Sequence, residues 1–237
     1  RIIESKRQIE QPRVSVHCRL VEPRHVKAVV FDLDGTLTLP GALDLKRLRD
    51  ITSVPPGEDI VPYLRRQHAD DPAALQRAMR DIDEEERKAF NPPKVRAGVK
   101  ECLQELQKRG LRLAILTRNS PCCVSDFMSF LGLEPGTFAQ IITRESDMPN
   151  KPHPAPLLHC CTEWGLDPSQ VVMVGDSVDD MRCGRAAGCG SIAMLSPSEG
   201  IGEPGGAAFA EADAKLAAEA DWAVSCLTAL EARLRLA

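Results

Sequence analysis

A short apolar run that ends in two acidic residues constrains this chain more than any other feature. From Val26 to Thr36 the sequence reads Val-Lys-Ala-Val-Val-Phe-Asp-Leu-Asp-Gly-Thr, so a β-branched strand is followed at once by Asp32, Asp34 and a turn signal. Residues two apart on an extended strand point the same way, which directs both carboxylates toward one pocket. Two like charges this close favour a bound cation, a shared proton or two different roles. The alternative interpretation is a solvated turn between a strand and a helix.

Short apolar runs separated by helical patterns recur along the rest of the chain. The further predicted strands are residues 111–116, 139–143, 171–174 and 191–195. Alternating short strands and helices are typical of βαβ units. The sequence therefore predicts an α/β protein with a Rossmann-like parallel sheet core that is covered on both faces.

One interval breaks this alternation, because residues 40–93 contain helical patterns and no strand candidate. We predict a small α-helical cap domain here, bounded by stiff joints rich in proline and glycine. The catalytic core is then predicted to comprise residues 26–39 and 94–237. Within the core, residues 196–206 are predicted to form a loop, and residues 207–237 one or two helices.

Composition excludes several classes of protein. The 237 residues are 43% hydrophobic and 27% charged, which suits one buried core and a small accessory domain. The net charge of -4 provides no basic surface for nucleic acid or for an anionic membrane. No apolar stretch approaches the roughly 20 residues that span a bilayer. We therefore expect neither a nucleic-acid partner nor a membrane partner.

The cysteines and the N-terminus bear on the cellular compartment. The nine cysteines are odd in number, form no Cys-x-x-Cys pair and lie mostly in apolar stretches. They are interpreted as free thiols in a reducing compartment, so a cytoplasmic location is expected. Residues 1–25 lack periodicity and are interpreted as an N-terminal extension without assigned chemistry. The alternative is the remnant of a transit peptide, and with it an organelle.

Polar residues follow the predicted strands or begin the predicted helices. Because ligands bind beyond the carboxyl ends of parallel strands, we expect these residues to converge although they are far apart in sequence. The set comprises Asp32, Asp34, Thr117, Arg118, Asn119, Lys151, Asp176 and Asp180. Acids, a hydroxyl and a lysine at one sheet edge suit a hard cation such as Mg²⁺ together with a phosphate group.

Together these segments resemble the haloacid dehalogenase superfamily of hydrolases. Its four motifs appear as Asp32-Leu-Asp34-Gly-Thr, Leu116-Thr117-Arg-Asn, Lys151-Pro-His-Pro and Gly175-Asp176-Ser-Val-Asp-Asp180, over about residues 26–195. The resemblance implies that Asp32 is a nucleophile that forms an aspartyl-phosphate and that Asp34 is the general acid and base. It implies that Thr117 and Lys151 bind the phosphate, and that residues 40–93 correspond to the cap of the family.

The same resemblance implies a Mg²⁺ cofactor. Asp176 would hold the ion, with Asp180 as a further ligand or a supporting partner, and the predicted metal-binding set is Asp32, Asp34, Asp176 and Asp180. Arg118 and Asn119 are expected to contribute to phosphate binding through their backbone N–H groups only, and the alternative role of Asn119 is to cap the helix that follows. As the resemblance also implies, dehalogenases lack the second aspartate, so Asp34 points to phosphoryl chemistry.

The predicted function is that of a Mg²⁺-dependent phosphatase that acts on a small phosphorylated metabolite. A phosphomutase or phosphotransferase with the same first step is one alternative, and a non-catalytic binding scaffold is another. The basic residues of the helical interval are interpreted as solvated, although they could meet an anionic substrate. They are Lys46, Arg47, Arg49, Arg65, Arg66 and His68.

Overall fold

The computed structural model of the chain describes residues 26–41, 43–196 and 207–235. The predictions for residues 1–25, and those for almost all of the predicted loop at 196–206, fall outside the described residues.

The core of the protein is a single sheet of six parallel strands. The strands are β1 (Ala28–Phe31), β2 (Arg112–Leu116), β3 (Gln140–Ile142), β4 (Val171–Gly175), β5 (Gly190–Met194) and β6 (Trp222–Val224). Their order across the sheet is β3-β2-β1-β4-β5-β6. In the register of the central strand, Phe31 pairs with Ile115 on one side and with Val174 on the other. The predicted α/β class with a Rossmann-like parallel sheet is confirmed.

Nine α-helices lie among the described residues. They are α1 (Leu45–Thr52), α2 (Ile60–Gln67), α3 (Pro72–Ala89), α4 (Val99–Lys108), α5 (Pro121–Leu131), α6 (Ala155–Trp164), α7 (Val178–Ala187), α8 (Ala207–Glu219) and α9 (Leu227–Arg235). Because side chains alternate along β1, Val29 and Phe31 join the core formed with α4, α5 and α9. Ala28 and Val30 join the core formed with α6 and α7 on the opposite face. The sheet is therefore covered on both faces.

Helices α1 to α3 lie between β1 and α4, and we call this segment the helical insert. It has a small hydrophobic cluster of its own, built around Leu48, Val54, Leu64 and Ile82. Each of these side chains comes from a different part of the insert, so the cluster holds the three helices together. The predicted helical segment between the first two strands is confirmed.

The C-terminal region differs from the prediction of helices alone. Strand β6 lies between α8 and α9 and extends the sheet by pairing with residues 192–194 of β5. At three residues it is too short for its periodicity to be recognised. The carboxylate of Asp221, directly before β6, accepts a hydrogen bond from the backbone N–H of Ser191 at 2.9 Å. Tertiary pairing therefore makes this segment a strand.

Two further observations concern the cysteines and membrane spans. The eight cysteines that the structure describes are free thiols, and six of them are buried. Their packing as small apolar side chains agrees with the sequence interpretation.

Within the described ranges, every helix is too short or too polar to cross a bilayer.

Candidate active site

The loop after β1 places Asp32 and Asp34 at the carboxyl edge of the sheet. The backbone N–H of Asp32 donates to the carbonyl of Val174 at 2.9 Å and so continues the ladder beyond the strand. The chain then turns at Gly35, whose φ is +72°. A Cβ at this position would lie 1.8 Å from Oδ2 of Asp176. Only glycine combines this backbone conformation with so close an approach of the two acidic loops.

A buried arginine that the sequence reasoning missed supports this turn. Arg96 donates from Nη2 and Nε to the carbonyl oxygen of Gly35, at 2.6 and 3.1 Å. Its Nη2 also donates to the carbonyl of Leu195 at 3.1 Å, so one guanidinium ties the turn to the end of β5. No local sequence pattern indicates this role, because Arg96 lies 61 residues from Gly35 and meets it only in the folded protein.

Lys151 connects two of the acidic residues from the segment before α6. Its Nζ lies 2.7 Å from Oδ1 of Asp32 and 2.7 Å from Oδ1 of Asp180, and it donates to the carbonyl of Leu116 at 3.0 Å. The ammonium is therefore held between two carboxylates and one carbonyl, which fixes the position of the charge. Burial lowers the pKa of this ammonium, but the carboxylates of Asp180 and Asp32 outweigh that effect and hold the pKa above its usual value.

Asp180 is committed on both of its oxygens. Oδ1 faces Lys151, whereas Oδ2 accepts from the backbone N–H and the hydroxyl of Ser177, at 3.1 and 2.6 Å. Together with the bond from the Asp180 N–H back to Ser177 Oγ, this forms a capping box at the start of α7. A Cβ at Gly175 would meet the Asp180 side chain at 2.4 Å, so a glycine is required where β4 ends.

Asp32, Asp176 and Asp180 form a cluster that fits a divalent cation. One oxygen of each residue lies within 4.8 Å of the other two. Carboxylate oxygens are the ligands that Mg²⁺ prefers, and Mg²⁺ usually binds through few protein groups while it keeps several waters. Asp34, which was also predicted to bind metal, is not part of this group of three.

The crowding of these acids is visible in their pKa values. Burial raises the pKa of Asp32 from 3.8 to about 6, although the Lys151 ammonium lowers it. Burial and the neighbouring charges of Asp32 and Asp180 raise the pKa of Asp176 well above its usual value. Burial and the charge of Asp32 raise the pKa of Asp34 to about 7. Without a cation the cluster cannot easily carry all of its negative charges, so the donor set and the charge both fit Mg²⁺.

Thr117, Arg118 and Asn119 lie between β2 and α5. Thr117 and Asn119 are buried, and the Thr117 hydroxyl accepts from the Asn119 N–H at 3.2 Å. The Arg118 side chain turns to other partners: its Nη2 donates to Asp179 Oδ2 at 2.6 Å and to the carbonyl of Lys151 at 2.5 Å. The Arg118 guanidinium therefore connects α7 to the segment before α6.

One cavity of about 570 Å³ brings most of the predicted residues together. Its lining includes Asp32, Asp34, Thr117, Arg118, Asn119, Lys151 and Asp176. Asp180 is fully buried and lies outside this lining, behind Lys151. Of the basic residues of the helical insert, Arg49 lines the cavity, whereas the other five noted in the sequence do not.

A buried ion pair at the wall of the cavity joins the helical insert to the core. Arg144, which follows β3, binds Glu86 and Asp83 of α3 through its two terminal nitrogens. The side chains of Arg144 and Glu86 are 1% and 3% exposed. Glu86 also accepts from the backbone N–H of Ser120 at 3.3 Å, so a carboxylate occupies the N-terminus of α5. No local sequence pattern indicates this pair, because the two residues are 58 positions apart.

This combination of fold and site has counterparts among known proteins. The family model described as haloacid dehalogenase-like hydrolase matches residues 26–188. The chain belongs to this family, as the four sequence motifs predicted, and it is a hydrolase.

Two relatives and one solved structure illustrate the range of the similarity. A Saccharomyces cerevisiae hydrolase, YOR131C, is 34% identical over 179 residues, which cover 75% of this chain and 81% of the relative. A phosphoglycolate phosphatase of Chromobacterium violaceum is 32% identical over 191 residues, which cover 72% of this chain and 86% of the relative. The structure of CbbY from Rhodobacter sphaeroides, solved with phosphate, shares the fold at a TM-score of 0.60 and 20% identity, over 89% of this chain and 98% of that one.

Proposed function

We propose that the protein is a Mg²⁺-dependent phosphatase that hydrolyses a small phosphomonoester through a covalent aspartyl-phosphate on Asp32. The observation that carries the proposal is the placement of Asp32. Its carboxylate lies at a strand end, 2.7 Å from the Lys151 ammonium and within 4.8 Å of the oxygens of Asp176 and Asp180. The names of relatives such as the Chromobacterium violaceum phosphoglycolate phosphatase support the same reaction class.

In the first half-reaction the Asp32 carboxylate attacks phosphorus, and the bond from phosphorus to the leaving oxygen breaks. Lys151 reduces the repulsion between the two anions and holds the nucleophile in place. Asp34 gives its proton to the leaving oxygen. Its pKa of about 7 keeps a large fraction of the group protonated near neutral pH, as a general acid requires.

In the second half-reaction the newly ionised Asp34 accepts a proton from water. The resulting hydroxide attacks phosphorus, the bond to the Asp32 oxygen breaks, and inorganic phosphate leaves. Thr117 and the backbone of Arg118, both of which line the cavity, would bind the phosphate oxygens. One carboxylic acid thus serves both steps.

Asp32, Asp176 and Asp180 would hold Mg²⁺, which neutralises charge on the phosphate and on the acids when it is bound. Because Asp180 also binds Lys151 and caps α7, its principal role is to position that lysine. We further propose that residues 40–93 serve as a cap over the site, since α1 to α3 line the cavity opposite the acids.

The decisive experiment compares the parent with Asp32→Asn. We expect the variant to lose turnover of phosphate esters while it retains its fold, because the change removes the nucleophile and one of several crowded charges. Acid quench followed by mass spectrometry of the parent should show one added phosphoryl group on Asp32. If Asp32→Asn retains more than a few per cent of the activity, Asp32 is not the nucleophile.

The same assay separates the two alternatives. A phosphomutase or phosphotransferase passes the phosphoryl group to a substrate hydroxyl, so a phosphorylated product other than inorganic phosphate would favour it. A binding scaffold would neither form the phosphoenzyme nor release phosphate.

A further inference from the structure

The part of the cavity that the helical insert lines has an apolar wall. The helical insert contributes Leu43, Ile60 and Val61, which pack against its buried cluster yet stay partly exposed. Leu45, which is 57% exposed, lies at the same cavity. When a ligand covers open apolar surface next to a reaction centre, the burial of that surface strengthens binding.

The volume of the cavity exceeds what a very small leaving group needs. About 570 Å³ lies within the range of pockets that enclose a drug-sized ligand. A glycolate group carries a single CH₂ between its oxygen and its carboxylate, so it would cover little of the wall formed by Leu43, Ile60 and Val61.

The charges around this part of the cavity do not favour a second anion. Away from the acids at the strand ends, the described lining contains four carboxylates and three guanidinium groups. Arg144 is paired with Glu86 and Asp83, and Arg118 with Asp179. Arg49 donates from Nη1 to the carbonyls of Pro55 and Glu58, at 2.8 and 2.9 Å. Two of the three cations are therefore paired with carboxylates. Arg49 keeps its charge, but its Nη1 is held by backbone, and the carboxylates of Glu58 and Asp59 also line the cavity.

We infer that the preferred substrate is the phosphomonoester of an uncharged alcohol with an apolar portion, and that Ile60 and its neighbours on the apolar wall select it. This inference rests on the proposed phosphatase function and refines it. It sets this chain apart from a preference for phosphoglycolate, whose leaving alcohol carries a carboxylate.

The first test measures kcat/KM for a set of esters with Mg²⁺ present. Ethyl, butyl and hexyl phosphate have leaving groups of similar basicity, so they vary in apolar length alone. We expect kcat/KM to rise by up to about fourfold for each CH₂ that the wall covers. Glycolamide phosphate, whose leaving group is uncharged, should have a higher kcat/KM than 2-phosphoglycolate, whose leaving group carries a carboxylate.

Matched variants connect this ranking to the wall. Ile60→Thr should lower the ratio of hexyl to ethyl phosphate kcat/KM by about threefold or more. Ile51→Thr is the control, because Ile51 lies on the same helical insert, 39% exposed, and does not line the cavity. Acetyl phosphate, a small activated substrate, should be turned over at the parental rate by Ile51→Thr, and circular dichroism spectra that match the parent should show that both variants are folded.

The outcomes separate this inference from the function on which it rests. A preference of tenfold or more for 2-phosphoglycolate that disappears in Arg49→Met would overturn the inference and make Arg49 the anion-binding residue. A flat response to chain length, or equal effects of Ile60→Thr and Ile51→Thr, would also overturn it. Failure to hydrolyse any of the esters or acetyl phosphate would instead refute the proposed phosphatase function.

Discussion

The buried pair of Arg144 and Glu86 allows a quantitative prediction about how the helical insert is held to the core. Arg144→Met removes the guanidinium and retains much of its apolar bulk. The carboxylate of Glu86 is then left 3% exposed, without its cationic partner. Breaking a buried ion pair by removing one partner typically costs about 3–5 kcal/mol. For a chain of this size that corresponds to a fall in melting temperature of roughly 6–20 °C.

The assay is urea denaturation followed by circular dichroism, with the free energy of unfolding taken from the linear extrapolation. Arg66→Met is the matched control, since Arg66 and Glu58 form an ion pair whose side chains are 63% and 45% exposed. Exposed pairs contribute about 0–1 kcal/mol, so this variant should be close to the parent.

A double variant tests the physical reason for the loss. Glu86→Gln combined with Arg144→Met removes both charges, while the amide oxygen can still accept from the Ser120 N–H. We expect the double variant to be more stable than Arg144→Met alone, because no unpaired charge remains buried. If Arg144→Met costs less than about 1 kcal/mol, or if the double variant loses the sum of both single changes, the reasoning is wrong.

Three further predictions concern the acids of the site. Asp34→Asn should be nearly inert toward alkyl phosphates but should release a burst of nitrophenol from p-nitrophenyl phosphate, because that leaving group needs no proton. Rapid-mixing absorbance measures the burst. Equal slowing of both esters would contradict the role of Asp34 as general acid. Asp176→Ala should raise the Mg²⁺ concentration for half-maximal activity by at least about tenfold, whereas Asp179→Asn should leave it near the parental value. In excess chelator, the free energy of unfolding should fall as pH rises from about 4 to about 7, because the folded-state pKa of Asp34 is raised from 3.8 to about 7 and the folded chain keeps a proton that the unfolded chain has lost. Denaturation across this pH range should show a shallower decline in Asp34→Asn, and an unchanged slope would contradict the assignment.

The residues at the strand ends were predictable because the topology alone brings them together. Once the apolar runs are recognised as parallel strands, Asp32, Thr117 and Asp176 must meet at one sheet edge. Lys151 follows for a similar reason, since it precedes the helix that returns from β3 to β4. Local pattern and one rule of sheet topology were sufficient.

The supporting contacts were not predictable in this way. Arg96 and Arg144 are buried by partners 61 and 58 residues away, and their spacing to those partners obeys no helical or strand period. Each depends on how one element packs across another. Strand β6 was not predicted for a related reason, because its three residues become a strand only by pairing with the edge of β5.

Two contacts of the segment after β3 hold the helical insert with unequal strength. This segment carries Arg144 at one end and Asn150 at the other, directly before Lys151. Arg144 holds α3 through the buried pair, whereas Asn150 donates a single hydrogen bond of 2.8 Å to Asp59, which precedes α2. A single hydrogen bond contributes about 0.5–1.5 kcal/mol, or up to about 3 kcal/mol when one partner is charged, and the buried pair costs more to break. We therefore expect the insert to open on the Asp59 side and to pivot about α3, so that Ile60 and the apolar wall move away from the acids first.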